Sequence, residues 1–217
     1  MSSMTGPRPP ACVIATTAWR CTSCRASSRC RCCGADVRRL ALRRPALALL
    51  LAVTTCARAA APVAEVRPAP AFTHSRAEDW LNSPPLSWND LRGQVVILDV
   101  WTFACGNCQR SLPWLHGIEQ RYRDRGLRVV GVHTPELPQE YLRANVVRKL
   151  GELQVGGPVM LDNDYSYWTA LDNRYWPAFY LVDRHGRIRG LFVGETHEGD
   201  DNARAVDAAL QRLLAEP

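Results

Sequence analysis

The stretch Val95-Val96-Ile97-Leu98-Asp99-Val100-Trp101-Thr102-Phe103-Ala104-Cys105-Gly106-Asn107-Cys108 decides how the chain is read. Its first seven residues are a near-continuous apolar run with β-branched side chains, which reads as a strand buried on both faces. Beyond the cysteines, Leu112, Leu115, Ile118 and Tyr122 recur at helical spacing. A helix is therefore predicted from the Cys105–Cys108 region to about Arg125, with Gly126 suited to its C-cap. The first cysteine then lies at a helix N-terminus, where free backbone N–H groups and the helix dipole favour an anion. A thiolate there is stabilised, so its pKa falls below the free value of about 8.5. The thiolate is the attacking species in thiol–disulfide exchange. The second cysteine, one turn inward, is placed to close a ring onto the first sulfur and release a mixed disulfide.

Two plainer readings compete. A bare Cys-x-x-Cys is also half a zinc knuckle, but no second pair follows residue 62. A merely structural disulfide here would close a tiny loop and contribute little.

Leu127–His133 reads as a second strand and Glu140–Leu150 as a second helix, closed by Gly151. Pro158–Leu161 is a short strand and Tyr165–Leu171 a short helix. Ala178–Val182 and Ile188–Val193 form a hairpin whose turn, Asp183-Arg184-His185-Gly186, puts glycine where φ > 0 is wanted. A last helix starts near Asp201 and buries Val206, Ala209, Leu210 and Leu213. The order β-α-β-α-β-α-β-β-α implies a mixed sheet between helices.

The first 61 residues differ in kind. They hold ten arginines against one acid and seven of the nine cysteines: Cys12, Cys21, Cys24, Cys30, Cys32, Cys33 and Cys56. The remainder holds seventeen basic residues against twenty acids and only Cys105 and Cys108. The formal charge of +6 thus belongs to the leader. The mildly acidic remainder lacks the basic face that nucleic acid requires, and its two cysteines exclude a disulfide-stapled scaffold. Residues 38–61 read as an export signal. Arg38, Arg39, Arg43 and Arg44 form the positive region, Ala46–Val53 the apolar run, and Ala57-Arg58-Ala59 or Ala59-Ala60-Ala61 a cleavage site. An uncleaved membrane anchor is the alternative, although the run is short of the roughly 20 residues that span a bilayer. Thr55 before Cys56 makes a poor lipoprotein signal. Residues 1–37 lack a periodic apolar pattern and are expected to be a non-native or disordered extension, with translation starting near Val37. Residues 62–77 are expected to be a flexible linker and residues 78–217 the folded domain.

Several motifs carry a family likeness. Val100 to Arg110 resembles the active-site segment of the thioredoxin superfamily, more closely its exported TlpA-like branch and the soluble redox domain of DipZ-type proteins. Gly131-Val132-His133-Thr134-Pro135-Glu136 resembles the next strand and turn. Asp162-Asn163-Asp164-Tyr165 and Asn173-Arg174-Tyr175-Trp176-Pro177-Ala178 resemble the approach to the family's cis-proline. The resemblance implies an α/β thioredoxin-like fold, a mixed central sheet flanked by helices. A strand–helix insert is implied between the CxxC helix and that proline, for which the 72 positions from Cys105 to Pro177 leave room.

It further implies Cys105 as nucleophile, Cys108 as resolving thiol and Pro177 as the cis-proline beside them, its preceding backbone free to pair with an extended substrate. Asp99, six residues before Cys105, resembles the buried acid that relays a proton to or from the resolving cysteine; burial would raise its pKa. It reads equally as a carboxylate at a strand edge. Pro113 resembles the residue that kinks the active-site helix. Trp176, Trp101 and Phe103 are expected to flank the site and contact substrate, and suit the core as well. His133, His185 and His197 read as structural or solvated. No cofactor beyond the redox-active disulfide is implied, and no metal.

The expected function is a periplasmic thiol-disulfide oxidoreductase, acting as a reductant on disulfides of other exported proteins. It is expected to be a monomer, fed by a separate membrane or periplasmic electron donor, since the transmembrane domain of full-length DipZ has no counterpart here. The Gly-Asn dipeptide, neither the Gly-Pro of thioredoxin nor the Pro-His of DsbA, leaves the redox potential open. Two rivals stand beside this reading. A peroxiredoxin would use Thr102-x-x-Cys105, but Leu98 replaces its expected proline. A copper metallochaperone would use two thiols and a distal histidine such as His197, at a wider cysteine spacing.

Overall fold

A computed structural model describes residues 66–217. Residues 1–65, with seven of the cysteines and the expected export signal, lie outside the described residues. Seven strands, β1 (Arg67–Pro68), β2 (Trp80–Leu81), β3 (Val95–Trp101), β4 (Leu127–His133), β5 (Val159–Leu161), β6 (Ala178–Val182) and β7 (Arg187–Val193), form one mixed sheet in the order β1-β7-β6-β3-β4-β5-β2. The helices are α1 (Gly106–Tyr122), α2 (Arg143–Glu152), α3 (Ser166–Leu171) and α4 (Asp201–Ala215). The thioredoxin-like architecture is present, with β4, α2, β5 and α3 filling the interval between α1 and Pro177.

β3 is the central strand, parallel to β4 and antiparallel to β6, and all seven of its residues are buried. Its period-two alternation feeds two cores. Val95 and Ile97 join Leu112, Leu115 and Ile118 of α1 and Val206, Leu210 and Leu213 of α4. Val96, Leu98 and Val100 join Tyr167 and Leu171 of α3 on the opposite face. A third cluster at the C-terminal end of β3 unites Trp101, Phe103 and Cys108 with Val146 and Leu150 of α2. Each fully buried aliphatic side chain contributes roughly 1.5–3 kcal/mol. Cys108 is thereby packed into this third cluster, at the end of the central strand.

Chain reversals follow their residues. Gly126, at φ +93°, closes the turn after α1, and Gly186, at φ +77°, closes the β6–β7 hairpin. The second helix departs from expectation: a short 3-10 turn over Pro138–Tyr141 precedes α2, and Gly151 lies inside the helix. The chain leaves α2 through Gln154, at φ +57°.

The expected linker is corrected at residues 67–74. β1 pairs with β7, and the Ala69 N–H donates to the Gly186 carbonyl (2.9 Å). Phe72 stacks between Trp88 and Tyr167, with centroids 5.1 and 5.2 Å away, and meets Trp80 edge-on. Aromatic contact and an added edge strand fix a segment whose prolines and small residues suggested mobility.

Candidate active site

Cys105 is the N-cap of α1, and its Sγ accepts the Cys108 N–H at 3.2 Å. Cys105 and Cys108 are joined as a disulfide with Cα atoms 5.3 Å apart. Cys105 is half-buried, whereas Cys108 is 2% exposed against Trp101 and Phe103. An incoming group therefore reaches the first sulfur and not the second. Opening this bond leaves one sulfur at a helix N-terminus, where its thiolate is favoured.

Residues 102–104, which deliver the chain from β3 to Cys105, are held by a group the sequence did not disclose. Glu140 is fully buried. One carboxylate oxygen accepts from the Thr102 hydroxyl and from the Ala104 N–H (2.7 Å). The other accepts from the amides of Glu136 (2.9 Å) and Leu137 (2.7 Å). Burial pushes this carboxyl upward, but the Thr102 hydroxyl and the three amides outweigh it and hold the carboxyl below its ordinary range. His133 Nε2 lies 3.3 Å from the Thr102 hydroxyl, and its ring stacks on Phe103. Burial lowers the His133 pKa to about 4, so the imidazole is neutral. No spacing rule links positions 102 and 140, because their meeting is tertiary.

The helix side of the pair carries a second arrangement. Arg110 donates twice to Glu195, from Nε (2.8 Å) and Nη2 (2.6 Å), and once to the Asn107 side-chain carbonyl (2.5 Å). His197 Nε2 lies 2.7 Å from Glu195 Oε1. The Arg110 and His197 contacts hold the Glu195 carboxyl down at about 2.

The Trp176–Pro177 bond is cis. The Pro177 carbonyl accepts from the Gly194 N–H (3.0 Å), and Trp176 Nε1 donates to the Thr134 carbonyl (3.2 Å). Trp176 is half-buried, pairs with Trp168 at 4.2 Å between centroids and packs on the cluster that holds both cysteines. Trp101 and Phe103, expected to touch substrate, are corrected to core residues. They are 1% and 5% exposed, and their rings support Cys108 from within.

Asp99 is buried on β3, and its Oδ1 has no hydrogen-bond partner. Burial raises its pKa to about 7. Its side chain lines a cleft of about 630 Å³ between α1 and residues 154–158, shared with Trp101 and Gly131. A Cβ on Gly131 would stand 3.1 Å from Trp101 Nε1, so glycine keeps this floor open. Among the described residues, one set of metal-ligating type converges away from the cysteines: His74, Asp162 and Asp164. Asp162 there accepts from the amides of Tyr167 and Trp168 and caps α3.

The redoxin family pattern matches residues 65–210. Protein DipZ of Mycobacterium tuberculosis is 44% identical over 138 residues, which is 62% of this chain and 19% of that protein. The chain thus spans about a fifth of the length of DipZ. Thiol-disulfide oxidoreductase YkuV of Bacillus subtilis is 25% identical over 150 residues, 69% of this chain and 96% of the other. A thiol-disulfide isomerase from Corynebacterium glutamicum superposes with a TM-score of 0.58 at 24% identity, covering 69% of this chain and 98% of that one, a likeness of fold.

Proposed function

The chain belongs to the redoxin family of thioredoxin-like proteins, and we propose that it is an exported thiol-disulfide oxidoreductase that reduces disulfides in other exported proteins. The observation that carries this reading is the asymmetry of the pair: a reachable Cys105 capping α1, bonded to a buried Cys108. In the reduced protein the Cys105 thiolate attacks a client disulfide and expels one client thiolate. Cys108 then attacks Cys105 Sγ, breaking the mixed disulfide and releasing the second client thiolate. Two electrons pass to the client, and the Cys105–Cys108 bond forms. Asp99 is the group assigned to take up the Cys108 proton, since its pKa near 7 lets it hold or release one at working pH, and its cleft gives it a route to water. The backbone before Pro177 pairs with the extended client, and Trp176 supplies an apolar flank. A separate exported or membrane protein returns the electrons.

Export is supported by the arginines, apolar run and small residues of positions 38–61. N-terminal sequencing of the secreted form is expected to begin just after Ala59 or Ala61. An insulin-disulfide reduction assay tests the chemistry. The wild type is expected to precipitate insulin in the presence of dithiothreitol, and Cys105→Ser is expected to lose that activity. A Cys105→Ser protein working at the wild-type rate would overturn the assignment. The direction is tested by the reduction potential, expected near the roughly −270 mV of thioredoxin and far from the roughly −120 mV of DsbA.

A further inference from the structure

We propose that Arg110 and Glu195 form a charge clamp over the Gly106-Asn107 dipeptide that sets the thiolate stability of Cys105, with the two partners acting in opposite directions. This rests on the redox reading of the pair and goes beyond it, by assigning the tuning of the pair to two residues outside it.

The dipeptide between the cysteines offers no charge of its own. Arg110 supplies one. Its Nη1 lies 3.0 Å from the point a Cβ on Gly106 would occupy, so the guanidinium lies against the residue bonded to Cys105. Its Nη2 also fixes the Asn107 side chain. Glycine at 106 thereby makes room for a cation against the residue that follows the attacking cysteine, and asparagine at 107 helps hold it there. Glu195, brought up by the segment after β7, meets the same guanidinium with both carboxylate oxygens. The anchoring is firm on that side: the Thr196 N–H donates to the buried Ser111 hydroxyl of α1 at 2.9 Å. The guanidinium favours the thiolate, and Glu195 offsets part of that favour.

The other ionisable groups around the pair are Glu140 behind Ala104, Asp99 in β3 and His133 against Phe103. All three are present in every variant compared. His197, which touches Glu195, is removed from account by repeating each comparison in a His197→Gln background.

The test uses the reduced full-length chain. The rate of Cys105 alkylation by iodoacetamide is followed against pH, with the labelled cysteine located by fragmentation mass spectrometry. The disulfide fraction in glutathione buffers is read from the same peptide. Arg110→Gln is expected to raise the Cys105 pKa by about 0.5 unit, a roughly threefold loss of thiolate below it, and to make the pair more reducing. Glu195→Gln is expected to lower the pKa by a similar amount and make the pair more oxidising. The double variant is expected to return toward wild type. A purely structural clamp would shift both single variants the same way, or neither, and either result overturns the proposal. If Cys105 resists alkylation at every pH while Cys108 reacts, the redox reading itself fails, which is a different outcome from failure of the clamp.

Discussion

Asp99 and His133 sit on neighbouring strands, two register positions apart, and burial disfavours the charged form of both. Their effects on stability have opposite signs. In the unfolded chain Asp99 ionises near the ordinary carboxyl value of 3.8, whereas in the fold it stays protonated to about 7. Between those values the folded state holds the extra proton, so stability falls as pH rises. For His133 the unfolded imidazole takes a proton below 6.5 and the folded one only below about 4. There the unfolded state holds the extra proton, so stability rises with pH through that window. Each shift corresponds to several kcal/mol at about 1.4 kcal/mol per pKa unit, and the two largely cancel between pH 4 and 6.5. Chemical denaturation across that range is expected to give a nearly flat profile for the wild type. Asp99→Asn is expected to turn it into a clear rise with pH and to gain up to roughly 4 kcal/mol near pH 8. His133→Gln is expected to turn it into a fall. Parallel profiles for all three proteins would mean that neither group is held neutral.

At the scale of elements, the strands and helices that cross the core were legible because burial writes a period. Val95–Trp101 announces a strand buried on both faces, and Leu112, Leu115 and Ile118 announce a helix stripe. The cysteine pair was legible because a motif at a strand-to-helix junction has few other uses. Connections were less so. Glu140 looked like the start of a helix and is instead a buried anchor between a 3-10 turn and the Thr102–Ala104 loop. Phe72 looked like part of a linker, since one aromatic among prolines carries no period, yet it binds the chain to α3 and β2. Glu140 provides the sharper test. It faces only donors, so Glu140→Gln turns an amide NH₂ toward N–H groups whichever way it flips. A loss of about 2–4 kcal/mol is expected in urea denaturation, because buried donors lose their acceptor. Faster amide hydrogen exchange at Ala104 and Leu137 is expected to accompany it. Stability equal to wild type would show that water replaces the carboxylate and that Glu140 does not organise the loop.

For the whole molecule, the fold and the redox pair are joined by one thermodynamic cycle. Folding with the disulfide closed and folding with it open differ by the amount by which the fold shifts the pair's reduction potential, about 1.4 kcal/mol for every 30 mV. Chain entropy adds little, because the Cys105–Cys108 loop spans only three positions and loop closure grows with length. The balance therefore lies in how well the surroundings accept a thiolate at Cys105 against a closed disulfide over Cys108. Opening the bond exposes a thiolate to the N-terminus of α1 and to the Arg110 guanidinium, which favour it, and to the nearby Glu140 and Glu195 carboxylates, which oppose it. DsbA is an oxidant because its reduced form is stabilised. Here the cation beside Gly106 is offset by Glu195, and a carboxylate held ionised lies behind Ala104, so the reduced form lacks that advantage. The oxidised protein is accordingly expected to be the more stable of the two in guanidinium denaturation, with its midpoint lowered by dithiothreitol. The same sign is expected from the potential, on the reducing side. A reduced protein that outlasts the oxidised one would place the molecule among the oxidants and reverse the direction of electron flow proposed for it.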